Sequence, residues 1–304
     1  MGTLNWVGGS GSQSWATAAN WDTAAVPVTG DDVYIAQGNS DINSGLAQSG
    51  VTLNSLNILP GFSGTIGSTG NSGDSLAIGA TNVYVNSQSG RTKLDFGSVT
   101  HTTTVVSTGG SSDTNLEAFR IRGGTNTSKL YVVGNNQTAV GVATTRAGIT
   151  ATLSEWDVRG GTVNLGAGLT CATGKQSGGT VTLGGSATTI TQTGSGTLIH
   201  QGSGTITTLT ATGTVIENSR PAAGTDVIGT LTTGPGATVD FSQNPAPCTL
   251  TNAPILGKGT NFLAFMPNQV ALHAASLTIK GQQCGLSDLT INVGSQVQAT
   301  ITNW

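Results

Sequence analysis

The chain has little charge. Of 304 residues, 11 are Lys or Arg and 14 are Asp or Glu, so 8% are charged, against roughly 25% in an ordinary soluble domain. Eleven scattered basic residues under a net charge of −3 form no patch that displaces counterions, so nucleic acid is excluded as an expected partner. Long hydrophobic runs are missing too. No stretch of 18 apolar residues occurs, so no membrane insertion is expected. The opening Met1-Gly2-Thr3-Leu4-Asn5-Trp6 lacks the basic region and apolar core of a Sec signal. Its sixth position is not the Ser or Thr of a myristoylation pattern, and synthesis in a cytoplasm is the expectation.

Cysteine and histidine are sparse. Cys171, Cys248 and Cys284 are far apart and form no Cys-x-x-Cys pair, which points to small buried thiols rather than a disulfide framework. His101, His200 and His273 have no second ligand at zinc spacing, so no metal or other cofactor is expected. Glu, Lys and Met, the usual helix formers, are scarce, and this opposes helices.

Glycine is abundant instead, at 46 positions, about twice its usual share of roughly 7%. It falls in a pattern. Gly161-Thr162-Val163, Gly179-Thr180-Val181, Gly196-Thr197-Leu198, Gly213-Thr214-Val215 and Gly229-Thr230-Leu231 recur at intervals near 17 residues. Apolar residues alternate after each step, as in half-buried strands. Minor Gly-rich steps at 166–168 and 202–204 put a second strand in each period, with tight turns between. A constant period favours coils stacked on one another over a meander, in which loop length is free. The spacing therefore predicts an all-β parallel β-helix, or β-solenoid, with short coils of about 17 residues and irregular capping regions at both ends. Stacked Thr hydroxyls are expected to form a ladder. So short a coil encloses no ligand, and side chains must fill it.

The flanks are less regular. The expected division is a Trp-rich cap or attachment region over 1–50, a solenoid body over 51–250, and a C-terminal cap or oligomer-contact region over 251–304. Val33-Tyr34-Ile35, Val83-Tyr84-Val85 and Leu130-Tyr131-Val132 read as strands within this plan. Exposed solenoid ends invite pairing with other chains, so both ends require covers. Trp6, Trp15 and Trp21 at one end, and Phe262, Phe265 and Met266 at the other, are the candidates for capping or for contact with a partner.

Catalytic constellations are thin. Asp31-Asp32 is an adjacent acidic pair, but neighbours on a strand face opposite ways, and a turn acid followed by a strand start is the simpler reading. Glu155 and Asp157 share a strand face with Arg159. They are open to an acid/base reading around a sugar and to a surface ion-pair reading. Glu117, Arg120 and Arg122 form a looser group. The expectation is a protein that is not an enzyme.

Residues 5–35 carry Asn5-Trp6, Trp15, Asn20-Trp21, Val26-Pro27, Gly30-Asp31-Asp32 and Val33-Tyr34-Ile35. This opening resembles that of autotransporter-type and phage-borne β-helix proteins. The resemblance implies a parallel β-helix used for display or adhesion. Without a signal or translocator segment in view, it fits a phage structural protein such as a head decoration (cement) protein, spike or fibre. Three readings follow. One is a virion protein, often a homotrimer, bound to capsid protein. Another is an adhesin or carbohydrate-binding protein on a bacterial surface, meeting a host-surface glycan. The third is a polysaccharide lyase or glycosidase. An aromatic series along one exposed face would mark the second, and an aromatic content of 5% argues against rich sugar stacking.

Overall fold

The computed structural model describes residues 1–68, 75–87, 90–108, 118–134, 138–142, 150–202, 204–218, 227–241, 248–252, 254–264, 270–272, 278–279 and 290–293. These are almost all strand and turn, with a short 3-10 helix at Ala18–Asn20. The chain divides into two compact units, Met1–Thr170 and Cys171–Trp304. Each is a parallel β-solenoid.

In the first unit one stack of strands runs Thr3–Asn5, Asp32–Gly38, Ala47–Phe62, Leu76–Asn86, Thr102–Ser107, Lys129–Val132 and Ala151–Val158. Each is parallel to the next and in register, so Leu4, Val33, Leu56, Val83, Thr103, Leu130 and Trp156 form one inward column. All seven are buried, and each of the larger apolar ones contributes about 1.5–3 kcal/mol. A second stack runs Thr92–Asp95, Phe119–Arg122, Ala139–Val142 and Thr162–Leu165.

Thr103 is the polar member of the inward column, and it has a partner. Its hydroxyl lies 3.0 Å from His101 Nδ1, and the His101 ring stacks on Phe96 with centroids 4.1 Å apart. Burial pushes the His101 pKa down from 6.5 to about 4, because the charged imidazolium loses its hydration.

In the second unit short strands Thr180–Leu183, Thr197–His200, Thr214–Glu217 and Thr238–Asp240 stack beside longer ones, Ser186–Gln192, Thr205–Ala211 and Val227–Thr233. Thr180, Thr197, Thr214 and Thr238 lie directly over one another. The 17-residue beat thus holds from Thr180 to Thr197 and again to Thr214. The next interval is 24 residues, with Ala237-Thr238 in place of a Gly-Thr step. Gly229-Thr230 lies in the other stack, where Thr230 follows Thr208. Coils can lengthen in this way because parallel register is kept by the strands while corner loops absorb insertions.

Two of the Gly-Thr steps, at Gly196 and Gly213, have a packing cause inside the coil. Gln176 and Gln192 are fully buried, and Gln192 Nε2 donates to Gln176 Oε1 at 3.2 Å. Gln176 Nε2 also donates to the carbonyls of Gly179 and Thr197, and Gln192 Nε2 to those of Gly196 and Thr214. A Cβ on Gly196 would sit 2.9 Å from the Gln176 amide carbon, and one on Gly213 would sit 3.1 Å from that of Gln192. Ala211 takes the place above Gln192, and there the step's glycine becomes Ala237. At Gly196 the Gln176 amide leaves no room for a Cβ, and at Gly213 the carbonyl oxygens of Gly196 and Gly194, 2.5 and 2.7 Å away, add to the Gln192 amide.

His200 and Glu217 follow one another in an inward column, with Nδ1 2.9 Å from Oε1 and both side chains fully buried. Cys171 and Cys248 are buried; Cys284 and His273 lie outside the described residues.

Two expectations follow. Gly213→Ala should lower stability by about 1–3 kcal/mol, since its Cβ would also lie 2.5 Å from the Gly196 carbonyl oxygen. Gly50→Ala, with nothing within 4 Å, should leave the melting temperature within a degree or two. Thermal unfolding by circular dichroism distinguishes them.

The second expectation concerns pH. Between 6.5 and about 4 the unfolded chain binds a proton at His101 that the folded chain refuses, so stability falls as pH drops through that window. The slope approaches roughly 1.4 kcal/mol per pH unit. Denaturant titrations of His101→Gln at pH 7, 5.5 and 4.5 should show that slope removed.

Candidate functional site

The opening motif builds the first coil from the inside. Trp6, Trp15 and Trp21 are all buried. Trp21 meets Trp6 and Trp15 edge-on, with centroids 5.2 and 4.8 Å apart, and its Nε1 donates to the Trp15 carbonyl at 2.9 Å. Asn20, also buried, donates through Nδ2 to the carbonyls of Ser12 and Ser14, and its Oδ1 accepts from the Ser10 amide and hydroxyl. The tryptophans were expected as capping or partner-contact residues; the structure places their rings against each other, inside this chain.

The same segment covers the free edge of the first strand. Residues 20–22 run antiparallel to it, and the Asn5 carbonyl accepts from the Asp22 amide at 3.0 Å. The Asp22 carboxylate accepts from both the amide and the side chain of Asn5. Those bonds hold the Asp22 carboxyl below the usual range. An open edge is a template for further strands, and here it is occupied from Asn5 to Val7.

Gly30-Asp31-Asp32 divides its labour as expected for a turn followed by a strand. Gly30 has φ +90, a left-handed conformation that favours glycine. The Asp31 carboxylate accepts from the Val28 and Gly2 amides at 3.0 and 2.7 Å, and the Val28 bond, foremost, lowers its pKa. Asp32 opens the strand and accepts from Asn54 Nδ2 and the Ser55 hydroxyl. Outside this framework Met1, Val7 and Val28 remain exposed, the last two at 48% and 60%.

Glu155 and Asp157 do share an outward face, and each meets a cation. Lys129 Nζ lies 3.9 Å from Glu155, and Arg159 donates to Asp157 at 2.9 Å. Trp156 between them points inward and is buried. Arg122 pairs with Asp95 at 2.9 Å, beside a cavity of about 180 Å³ lined by Ser49, Ile78, Gly79, Asp95, Phe96 and Val99 among others. That volume is below the range of small-molecule sites. Among the described residues no group of three or more His, Cys, Asp or Glu is placed to hold a metal.

At the other end Phe262 lies in the strand Asn261–Ala264, in register with Val239. Phe265, Met266 and Glu117 lie outside the described residues.

One arrangement escaped the sequence reading. The outward column of the first unit runs Asn5, Tyr34, Asn57, Tyr84, Thr104, Tyr131, Asp157. It holds all three tyrosines of the chain, one on every second coil. The signal was present: each tyrosine is the centre of an apolar-Tyr-apolar triplet. Coil lengths between them differ, so the triplets show no fixed period.

Comparison of the chain with protein-family models, with curated proteins and with solved structures gave no match.

The first coil should depend on the Asp31 charge. Its pKa is depressed in the fold, so its contribution is present above the ordinary carboxylate value and lost as pH falls through the folded one. The protection of the Gly2 and Val28 amides from hydrogen exchange, relative to the unfolded chain at the same pH, should fall below about pH 4. In Asp31→Ala it should be low at pH 7 as well, while the amides of Thr197–His200 stay protected.

Proposed function

We propose that this chain is a non-enzymatic virion structural protein, of the decoration, cement or spike kind, that docks on capsid protein as a homo-oligomer, with three copies as the expected number. The observation that carries the reading is the construction of the opening motif. The residues by which 5–35 resemble phage-borne β-helix proteins are those that close the first coil: Trp6, Trp15, Asn20, Trp21, Gly30, Asp31 and Asp32. They support an end that is internally complete and presents Met1, Val7 and Val28 outward.

The tryptophans then act by holding that end rigid, and the contact itself falls to the exposed residues around them. Two exposed valines offer a modest apolar surface, and many copies on a lattice would add their binding.

Truncation is a poor test. Removing residues 1–35 would strip the partners of Ser55, Leu56, Asn57 and Ile58 and open a fresh sheet edge, so aggregation is the expected result. Substitution is cleaner. Particles banded from a lysate of the natural host should carry the chain at constant ratio to the major capsid protein. Val7→Asp with Val28→Asp should reduce rebinding to stripped particles at least tenfold while leaving the melting temperature unchanged. Absence of the chain from the particles, or undiminished rebinding by the double variant, overturns the reading.

A further inference from the structure

The geometry points to the tyrosine column of the first unit as a binding face for a linear, uncharged polysaccharide lying along the stacking direction. The inference stands whether or not the chain belongs to a virion.

Tyr34, Tyr84 and Tyr131 occupy alternate coils of one column, and each is half-buried with its strand neighbours Val33 and Ile35, Val83 and Val85, Leu130 and Val132 packed inward. Rungs of a sheet lie about 4.8 Å apart, so rings two rungs apart repeat at roughly 9.5 Å. That is close to the length of a disaccharide unit in an extended polymer. Between the rings stand Asn57 and Thr104, which are too small to fill the gaps. The rings are therefore separate platforms rather than one apolar patch. A pyranose has an apolar C–H face and a hydroxyl rim, and an aromatic ring takes the face.

A rail for the rim runs alongside. Two residues earlier on each strand, and hence on the same face, the outward column is Asp32, Ser55, Asn82, Thr102, Lys129 and Glu155. It offers carboxylate, hydroxyl, amide and ammonium groups at every rung, and all six are half-buried or exposed. The charges near the face answer one another: Lys129 meets Glu155, and Arg159 meets Asp157. Asp32 adds one further negative charge to the rail, so the face has no pull on a polyanion, which selects a neutral polymer. A protein partner would ask for a continuous apolar centre with a polar rim; here aromatic and polar positions alternate.

The test uses the full chain in native gels cast with hydroxyethyl cellulose, mixed-linkage β-glucan, xylan, mannan or dextran. At least one polymer should retard it. Tyr34→Ala, Tyr84→Ala and Tyr131→Ala should each weaken that binding roughly 3- to 10-fold, and Tyr84→Phe should keep most of it. Circular dichroism should be unchanged throughout and the melting temperature should fall by only a few degrees, since the three side chains point outward and are half-buried. No retardation by any of the five polymers overturns the proposal. So does full binding by the triple alanine variant. If the wild-type chain self-associates and Tyr84→Ala makes it monomeric, the face belongs to a second copy and the proposal falls.

Discussion

The whole structure depends on parallel register from coil to coil. Once a strand is hydrogen-bonded over the one before it, each side chain has a fixed neighbour one rung away, and the coil's composition is read as columns rather than as a linear sequence. Some misfits in a column are answered by another group. Thr103 enters an otherwise apolar column, and His101 comes inside to meet its hydroxyl. Gln176 and Gln192 enter the corner of two successive coils, and the backbone opposite must be glycine. Where the glutamine gives way to Ala211, the glycine gives way to Ala237. These exchanges are local, and they account for two of the Gly-Thr steps visible along the chain, at Gly196 and Gly213.

That dependence sets what could be read in advance. Strands, turns and the stacked-coil class were legible because alternation and Gly-Thr steps are properties of short windows. The face on which a given step lies was not. Gly213-Thr214 and Gly229-Thr230 look alike in sequence, but Thr214 pairs with Thr238 and Thr230 with Thr208. The difference lies in how many residues the corners between them absorb, and no short window encodes that. The tyrosines were hidden for the same reason. The tryptophans posed the opposite problem: as large side chains near an end they suggested capping or contact with a partner, and in the fold their rings pack on one another inside the first coil.

Edges explain the construction of the beginning. A solenoid cannot close on itself as a barrel does, so its first strand must have its outer hydrogen bonds met or remain adhesive. Asp22 does this with its backbone and its carboxylate together. A charged acceptor there has a second effect, since a carboxylate on an edge discourages the approach of another strand. The motif that first suggested a family resemblance is, in physical terms, an instruction for ending a sheet: aromatic fill, an asparagine that collects loop carbonyls, an aspartate that closes the turn, and a second that ties the strand to the next coil.

A stack of this kind also shapes what its surface can recognise. Repeating a strand repeats its outward chemistry at fixed spacing, so the face suits a partner with a repeat of its own, whether a protein lattice or a polymer. With few charges in the chain, long-range attraction is weak, and specificity must come from matching spacing at contact. Matching of that sort is cumulative: one ring on one sugar is worth little, and three in register add their contributions along a single rigid axis, because the sheet has already fixed their separation before the partner arrives. The rigidity that burial and register impose inside the coils is thus the same property that makes weak outward contacts additive.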